Sequence, residues 1–409
     1  MKSKSRYNVD IDLNKKILKD LILSISKIEY NATSYKKTEK VMRKFPDTNG
    51  KLFSKSQLIT AYKRLKKDLD LTPDTSKNLL LNLKMKEVRT ISGVTPVTVL
   101  TKPYPCSGKC IFCPNDTRMP KSYLVNEPGA QRALANKFDP YSQTINRLIA
   151  LNNIGHTVSK VELIVLGGTW SSYPQSYQIW FINRCFVALN DFSKNPTNTF
   201  YKTKNIYPTN SKNLINIKGE NLSPTVNYNR VIAGALKISK QLKETETWAN
   251  LEKSQKINEK AKVRCVGLSI ETRPDEINEK EIINIRKLGA TKVQLGVQSL
   301  NNKVLKLNKR GHTTAQTAQA FNLLRKAGFK IQIHYMPNLY GSNVKKDIAD
   351  FKKLFSNKNF RPDEIKLYPC SLISSAELIN YYNKKLWAPY TKKELLTVLL
   401  NNLKSVEEY

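Results

Sequence analysis

The stretch Thr95-Pro-Val-Thr-Val-Leu-Thr-Lys-Pro-Tyr-Pro-Cys-Ser-Gly-Lys-Cys-Ile-Phe-Cys-Pro114 decides the fold. Its β-branched start reads as a strand near Val97–Leu100. Three cysteines then follow on one short loop, Cys106, Cys110 and Cys113, in the spacing C-x3-C-x2-C. Three thiolates so placed can hold three corners of a [4Fe–4S] cube and leave its fourth iron open to a ligand. Zinc is the alternative, but a structural zinc site closes with four ligands, commonly drawn as two pairs from separate segments. No fourth Cys or His lies near, and the aromatic Phe112 before the last cysteine is a candidate cofactor contact. The remaining cysteines read as small buried hydrophobes: Cys185 in a helical stretch, Cys265 in a strand and Cys370 just past one.

Outward from this loop, short β-branched runs alternate with helical stretches, the pattern of repeated βα units and a parallel sheet. Strands are expected near Val97–Leu100, Glu162–Leu166, Val263–Ile270, Lys292–Val297, Ile331–Tyr335 and Ile365–Tyr368. Helices are expected over Ala130–Asn152, Tyr177–Asn190, Ile277–Leu288, Ala315–Ala327 and Val344–Phe355. The fold class is therefore α/β, a partial (β/α)6 TIM-like barrel over residues 91–385. The chemistry of such barrels gathers at the C-terminal ends of the strands, and the cysteine loop follows the first of them.

The first ninety residues read as a helical, basic region. Leu13, Ile17, Leu18, Leu21, Ile22, Ile25 and Ile28 recur at helical spacing. Near Ser54 a capping box of Ser54 and Gln57 opens a helix that buries Leu58, Ala61, Tyr62 and Leu65. The outer faces carry lysine and arginine, and 69 Lys and Arg against 33 Asp and Glu give the chain a net charge of +36. A surplus of that size draws polyanions, nucleic acid foremost, with binding that weakens steeply in salt. Residues from about Asp191 to Asn229 read as a long insertion without periodicity. Residues 386–409 read as the start of a C-terminal helical segment, with Leu395, Val398, Leu399 and Leu403 on one side of a helix over Thr391–Glu408. Neither signal peptide nor membrane span is legible, which with the committed cysteines implies a reducing cytoplasm.

The cysteine spacing resembles that of the radical S-adenosylmethionine (SAM) enzymes, which makes the strand ends candidate sites. After the second strand, Gly167-Gly168-Thr169 offers a turn of the kind that meets the amino group of SAM in those enzymes. A tight βα turn would use glycines as well. The third strand ends in Glu271-Thr272-Arg273-Pro274-Asp275. Glu271 can accept from a ribose hydroxyl or an ammonium, and Arg273 can fork onto a carboxylate or phosphate. An ion pair between the two is the competing reading. Gln298, closing the fourth strand, offers donor and acceptor to a sugar edge. Lys309-Arg310-Gly311-His312 would suit RNA phosphate or substrate. His334 ends the fifth strand and is a candidate catalytic group, against the commoner hydrogen-bonded core histidine, while Lys366 and Tyr368 lie on the sixth. With only three histidines, a multi-histidine metal site is disfavoured.

A closer resemblance runs through most of the chain. Met42-Arg-Lys-Phe-Pro46, Arg89-Thr-Ile-Ser-Gly-Val-Thr-Pro96, Val161-Glu-Leu-Ile-Val-Leu-Gly-Gly-Thr169, Arg264-Cys-Val-Gly-Leu-Ser-Ile-Glu-Thr-Arg-Pro-Asp275, Gln294-Leu-Gly-Val-Gln-Ser299, Arg310-Gly-His-Thr313 and Phe360-Arg-Pro-Asp-Glu-Ile-Lys-Leu-Tyr-Pro369 are similar to the Elongator catalytic subunit family. The resemblance implies a tRNA uridine acetyltransferase that modifies C5 of the wobble uridine in the anticodon stem-loop. Its cofactors would be a [4Fe–4S] cluster and SAM, and its co-substrate acetyl-CoA. Carried over, Cys106, Cys110 and Cys113 would ligate the cluster and the basic amino-terminal helices would grip tRNA. Lys160 would match a lysine that contacts acetyl-CoA, although as a residue it reads equally as a surface lysine before a strand. A SAM-derived 5′-deoxyadenosyl radical would take a hydrogen from the acetyl methyl group.

Two departures stand out. No Gly-rich acetyl-CoA loop of the form Arg/Gln-x-x-Gly-x-Gly/Ala appears, so the acetyltransferase half is expected to be truncated or separately encoded, with a homo-oligomer as the other partner reading. Asn115-Asp116 follows Cys113-Pro114 where the family commonly has two glycines, so the loop is expected to move differently. Two other functions remain open: another radical SAM reaction on RNA, and a non-catalytic tRNA-binding scaffold with a structural cluster.

Overall fold

The computed structural model describes residues 9–196, 200–202, 227–238 and 244–406. The two largest of four hydrophobic clusters organise them. The first belongs to four helices, α1 (Lys15–Ser26), α2 (Ser34–Met42), α3 (Lys55–Leu65) and α4 (Pro73–Leu83). Leu18, Leu21, Ile22 and Ile25 of α1 are fully buried against Leu58 and Ile59 of α3 and Leu79 and Leu83 of α4. The capping box is present: the Ser54 N–H donates to Gln57 Oε1 at 2.8 Å and the Ser54 side chain accepts from the Gln57 N–H. Such a cap stabilises a helix by about 1 kcal/mol. Leu13, expected on the apolar stripe, is 61% exposed because it precedes the first turn of α1.

The second core is the sheet and its covering helices. All six expected strands form: β1 (Thr95–Leu100), β2 (Lys160–Leu166), β3 (Arg264–Thr272), β4 (Lys292–Gln298), β5 (Lys330–Tyr335) and β6 (Glu364–Leu367). They pair in parallel in sequence order, β1 to β6. Val97, Val99, Val161, Leu163, Val165, Ile270, Val293 and Leu295 point into one continuous core and are essentially inaccessible. A parallel sheet is covered by the helices of its crossovers, which here include Gln175–Lys194, Glu279–Lys287, Thr314–Lys326 and Val344–Ser356. Among the described residues no helix is long and apolar enough to cross a membrane.

Three expectations change. Ala130–Asn152 is not one helix but two, α5 (Pro128–Ala135) and α6 (Pro140–Asn153). Pro140 lacks an N–H and cannot continue a helix. The chain turns through left-handed Lys137 and Phe138, and Asp139 then caps α6 by accepting the Tyr141 N–H. The insertion read from Asp191 begins later, since the helix Gln175–Lys194 runs on through it, and its far side enters a further helix, Tyr228–Ile238. Most of that insertion lies outside the described residues. Cys265 is only half-buried, unlike Cys185 and Cys370. At the chain's far end the expected helix spans Lys392–Lys404 behind a Thr391–Glu394 capping box, and its Leu403 is exposed while Val398 is buried.

Candidate functional site

The C-terminal ends of the strands enclose a cavity of about 290 Å³, near the lower end of the range for small-molecule sites. Cys106, Cys110 and Cys113 line it, together with Phe112, Gly168, Thr169, Glu271, Arg273, Gln298, Arg310, His334 and Tyr368. Residues from every strand end thus converge on the cysteine loop. Lys160 does not join them: it is exposed at the start of β2, the opposite end of the sheet.

The cysteine loop is held from several sides. The Ile111 N–H donates to Asn308 O at 3.2 Å, and the Leu378 N–H donates to Ile111 O at 2.8 Å. Asp116 is buried, takes two hydrogen bonds of 2.8 Å from Arg118 and accepts the Val125 N–H. The residues after the last cysteine are therefore pinned by a carboxylate, the local consequence of having Asp116 there. At Cys106 the helix Tyr228–Ile238 reaches in. Asn229 accepts the Cys106 N–H at 3.0 Å and donates to Cys106 O at 2.8 Å. We expect Asn229→Ala to raise the exchange rate of the Cys106 amide about fivefold, the worth of one hydrogen bond of about 1 kcal/mol, with little change in melting temperature. Hydrogen exchange resolves this, and an unchanged rate would show that Asn229 does not restrain the loop.

Around the sulfurs the charge is positive. Arg310 Nη1 lies 3.3 Å and Arg273 Nη1 4.0 Å from Cys110 Sγ. A hydrogen bond from the Cys113 thiol, then these two guanidiniums, hold the Cys110 thiol well below its ordinary range, while the same partnership and burial push Cys113 up. Cys106 Sγ meets Thr169 Oγ1 at 3.4 Å, and Cys113 Sγ meets Ser122 Oγ at 3.2 Å. Arg273 reaches Cys110 past Gly108, where a Cβ would lie 2.2 Å from its Nη1. Among the described residues no three Cys, His, Asp or Glu are grouped as one metal ion would require.

Glu271 and Arg273 do not pair with each other. Arg273 forks onto Asp275, at 2.7 Å and 3.0 Å, and donates to Arg310 O at 2.6 Å. Glu271 instead accepts from the Tyr123 hydroxyl at 2.7 Å, and burial raises its carboxyl above the ordinary range. Gln298 is set by a shift of register between β4 and β5 and by a left-handed φ of 69°. Such irregularities re-aim a side chain. Its buried Oε1 has no hydrogen-bond partner among the described residues. An orphaned acceptor in a cavity is costly unless a ligand donates to it.

His334 is in part a hydrogen-bonded core histidine. Its Nε2 meets Gln294 Oε1 at 3.2 Å, and its Nδ1 comes within 3.6 Å of Glu271. That approach is not an ion pair, since burial, then Lys366 and Arg310, drives the imidazole down to about 3 while burial drives Glu271 up. The ring is neutral when folded. Below about pH 6.5 the unfolded chain binds a proton that the folded chain refuses, so this contribution is complete above 6.5 and is lost on acidification towards 3. Relative to His334→Gln, the wild type should lose about 2 kcal/mol more between about pH 7 and about pH 5. Denaturant titrations at the two pH values test this.

Gly167 and Gly168 both have positive φ, 140° and 85°. At Gly167 a Cβ would meet Thr101 Oγ1 at 1.8 Å, so that close approach is to the protein's own β1 end rather than to a ligand. Gly168 lines the cavity. Lys309-Arg310-Gly311-His312 divides: Lys309 is exposed and paired with Glu377 at 2.5 Å, whereas Arg310 and His312 are buried inside the barrel mouth. Arg310 is thus a cavity residue, not a surface RNA contact. Tyr123, Ser122 and Gly108 were not singled out from sequence. Gly108, lying between two of the cysteines, carried the one local signal.

The donor set fits an iron–sulfur cluster with a bound small molecule. The thiols sit in a positive environment, and an orphaned acceptor faces the same cavity. This half-barrel with its cysteine loop after the first strand is that of a radical SAM domain, and residues 225–352 match the Radical SAM superfamily profile. The chain is 39% identical over 334 residues to the tRNA uridine(34) acetyltransferase of Methanocaldococcus infernus and 37% identical to that of Methanocaldococcus jannaschii, covering 80% of this chain and 52% of each relative. It is 29% identical to Elongator complex protein 3 of Homo sapiens over 338 residues, covering 80% of this chain and 52% of that protein. The solved archaeal Methanocaldococcus infernus Elp3 with an N-terminal deletion superposes with a TM-score of 0.53 at 34% identity, over 76% of this chain and 53% of that one. Over four fifths of its length the chain is a homologue of the Elongator catalytic subunit family; it spans about half the length of the curated relatives it matches.

Proposed function

We propose that this chain carries out the radical half of C5 modification of the tRNA wobble uridine, with acetyl-CoA as co-substrate. The observation that carries the reading is the convergence of Cys106, Cys110 and Cys113 with the unpartnered Gln298 oxygen in one cavity at the strand ends. A [4Fe–4S] cluster held by the three thiolates would, with bound SAM, supply a 5′-deoxyadenosyl radical on one-electron reduction.

The chain's own residues do the rest. Gln298 and Glu271 would orient a ribose, Gly168 and Thr169 would admit the ligand's amino end beside Cys106, and Phe112 would cover it. Arg273 and Arg310 hold positive charge beside the Cys110 sulfur. His334, neutral and hydrogen-bonded to Gln294, is a shaping group that offers no proton near neutral pH. The basic helices α1 to α3 suit the phosphates of tRNA. An anticodon base is already single-stranded and cheap to splay out. Acetyl-CoA would be handled largely by a further domain, and any contact at Lys160 would fall at the far end of the sheet. Six free cysteines suit the reducing cytoplasm.

The test is anaerobic reconstitution with iron and sulfide, then an assay for 5′-deoxyadenosine with SAM and a reductant, alongside tRNA binding measured against salt. Product together with salt-sensitive binding supports the reading. Binding without product favours the scaffold. Equal affinity in a chain lacking residues 1–88 would remove the helical region from the tRNA contact.

A further inference from the structure

A second and larger cavity lies away from the cysteines, where α2, α3 and the Lys84–Arg89 segment face α5 and α6 beside the edge of β1. Its volume is about 1330 Å³, room for a ligand of nucleotide size or more. Eight of its lining side chains are Lys or Arg and two are Glu. Both carboxylates are already engaged by tyrosine hydroxyls, Glu39 by Tyr35 and Glu87 by Tyr30. Of the cations, Lys84, Lys86, Arg89, Arg132, Lys137 and Lys202 make no ion pair among the described residues.

Lys86, Arg89 and Lys202 reach solvent, while burial weighs on Arg132. Arg132 is half-buried with its Nη1 tied to Pro128 O at 2.9 Å, and burial and then the neighbouring Arg89 hold its guanidinium below the ordinary range. Lys86 and Lys137 are presented by left-handed backbone, φ 58° and 51°, a conformation that non-glycine residues rarely adopt. Strain of this kind persists where the surroundings impose it, and it gathers at ligand sites. The cations come from three separate parts of the chain and surround the space. Cations drawn from several directions onto one cleft suit a compact polyanion. At the rim Tyr35 is 57% exposed, with Lys55 Nζ over one ring face 5.0 Å from its centroid, which leaves the other face as a platform on which a planar base can stack.

We propose that this cleft binds a nucleoside polyphosphate, its phosphates held by Lys86, Arg89 and Arg132 and its base laid on Tyr35. The site goes beyond the radical reading and does not depend on it, since it is tested without a cluster. The experiment is calorimetric titration of the full chain, in chelator, with ATP, with inorganic tripolyphosphate and with tRNA. One ATP should bind per chain. Arg132→Gln should weaken ATP and tripolyphosphate about tenfold, Tyr35→Ala should weaken ATP alone, and Lys352→Gln on a distant helix should change nothing. Circular-dichroism melts check that each variant is folded. The proposal is overturned by the absence of saturable ATP binding, or by ATP affinity unaltered in Arg132→Gln. It is equally overturned if tRNA displaces ATP and loses the same affinity in Arg132→Gln, which would make the cleft part of an RNA track.

Discussion

Cys110→Ser is expected to abolish iron retention, from about four irons per reconstituted chain to near none, and with it 5′-deoxyadenosine formation, by a factor of at least about a thousand. Cys110 is the cysteine to change because its sulfur is the one that both guanidiniums approach. Serine keeps the shape but offers a hydroxyl that is not ionised near neutral pH, whereas a cluster ligand must be a thiolate. Cys185→Ser is the control, since Cys185 is buried in the helix Gln175–Lys194, far from the cavity lining. Chemical iron and sulfide analysis reads the result. Full iron in Cys110→Ser would falsify the ligand assignment, and loss of iron in Cys185→Ser would show that the assay reports folding instead.

Arg310→Met should have the next largest effect, on the reduction step. The Arg310 guanidinium is buried, donates to Gly296 O at 3.2 Å through Nε and lies against Cys110 Sγ. A fixed positive charge beside a cluster ligand favours the reduced, more negative state. Its removal should lower the potential on the order of 100 mV, from Coulomb's law at a few ångströms in a medium of intermediate dielectric. A potentiometric titration followed by electron paramagnetic resonance measures this directly, and a slower reductive cleavage of SAM should accompany it. Arg310→Lys separates charge from geometry, because lysine keeps the charge and loses the planar fork. An unchanged potential in Arg310→Met would remove the guanidinium from the redox argument.

Much of this site was legible in the chain because its signals are local. The cysteine spacing is written within eight residues, and each strand is a short β-branched run bounded by polar residues, so all six were found to within a few positions. The helix break before Pro140 was equally local and was overlooked because the apolar spacing continues across it. Arg310 was not legible in the same way. Lys309-Arg310-Gly311-His312 reads as a solvated basic turn, and only the approach of Cys110, two hundred residues earlier in the chain, turns Arg310 inward. Tyr123 belongs to the same class, since its partner Glu271 lies on a distant strand. Lys160 illustrates the reverse: a residue matched by resemblance that the sheet places at the other end from the cysteines.

The strict order of the sheet has a kinetic corollary. Strands β3 to β6 follow one another closely in the chain, each joined to its neighbour by a single crossover, so the last four can zip together through comparatively local encounters. The step from Leu166 to Arg264 spans far more chain, and pairing across it must overcome a larger loss of chain freedom. Chain connectivity therefore favours assembly as two blocks, β1–β2 and β3–β6, with their docking late. The cysteines ride on the first block, while Glu271, Gln298 and Arg310 ride on the second, so the cavity exists only once that docking is complete.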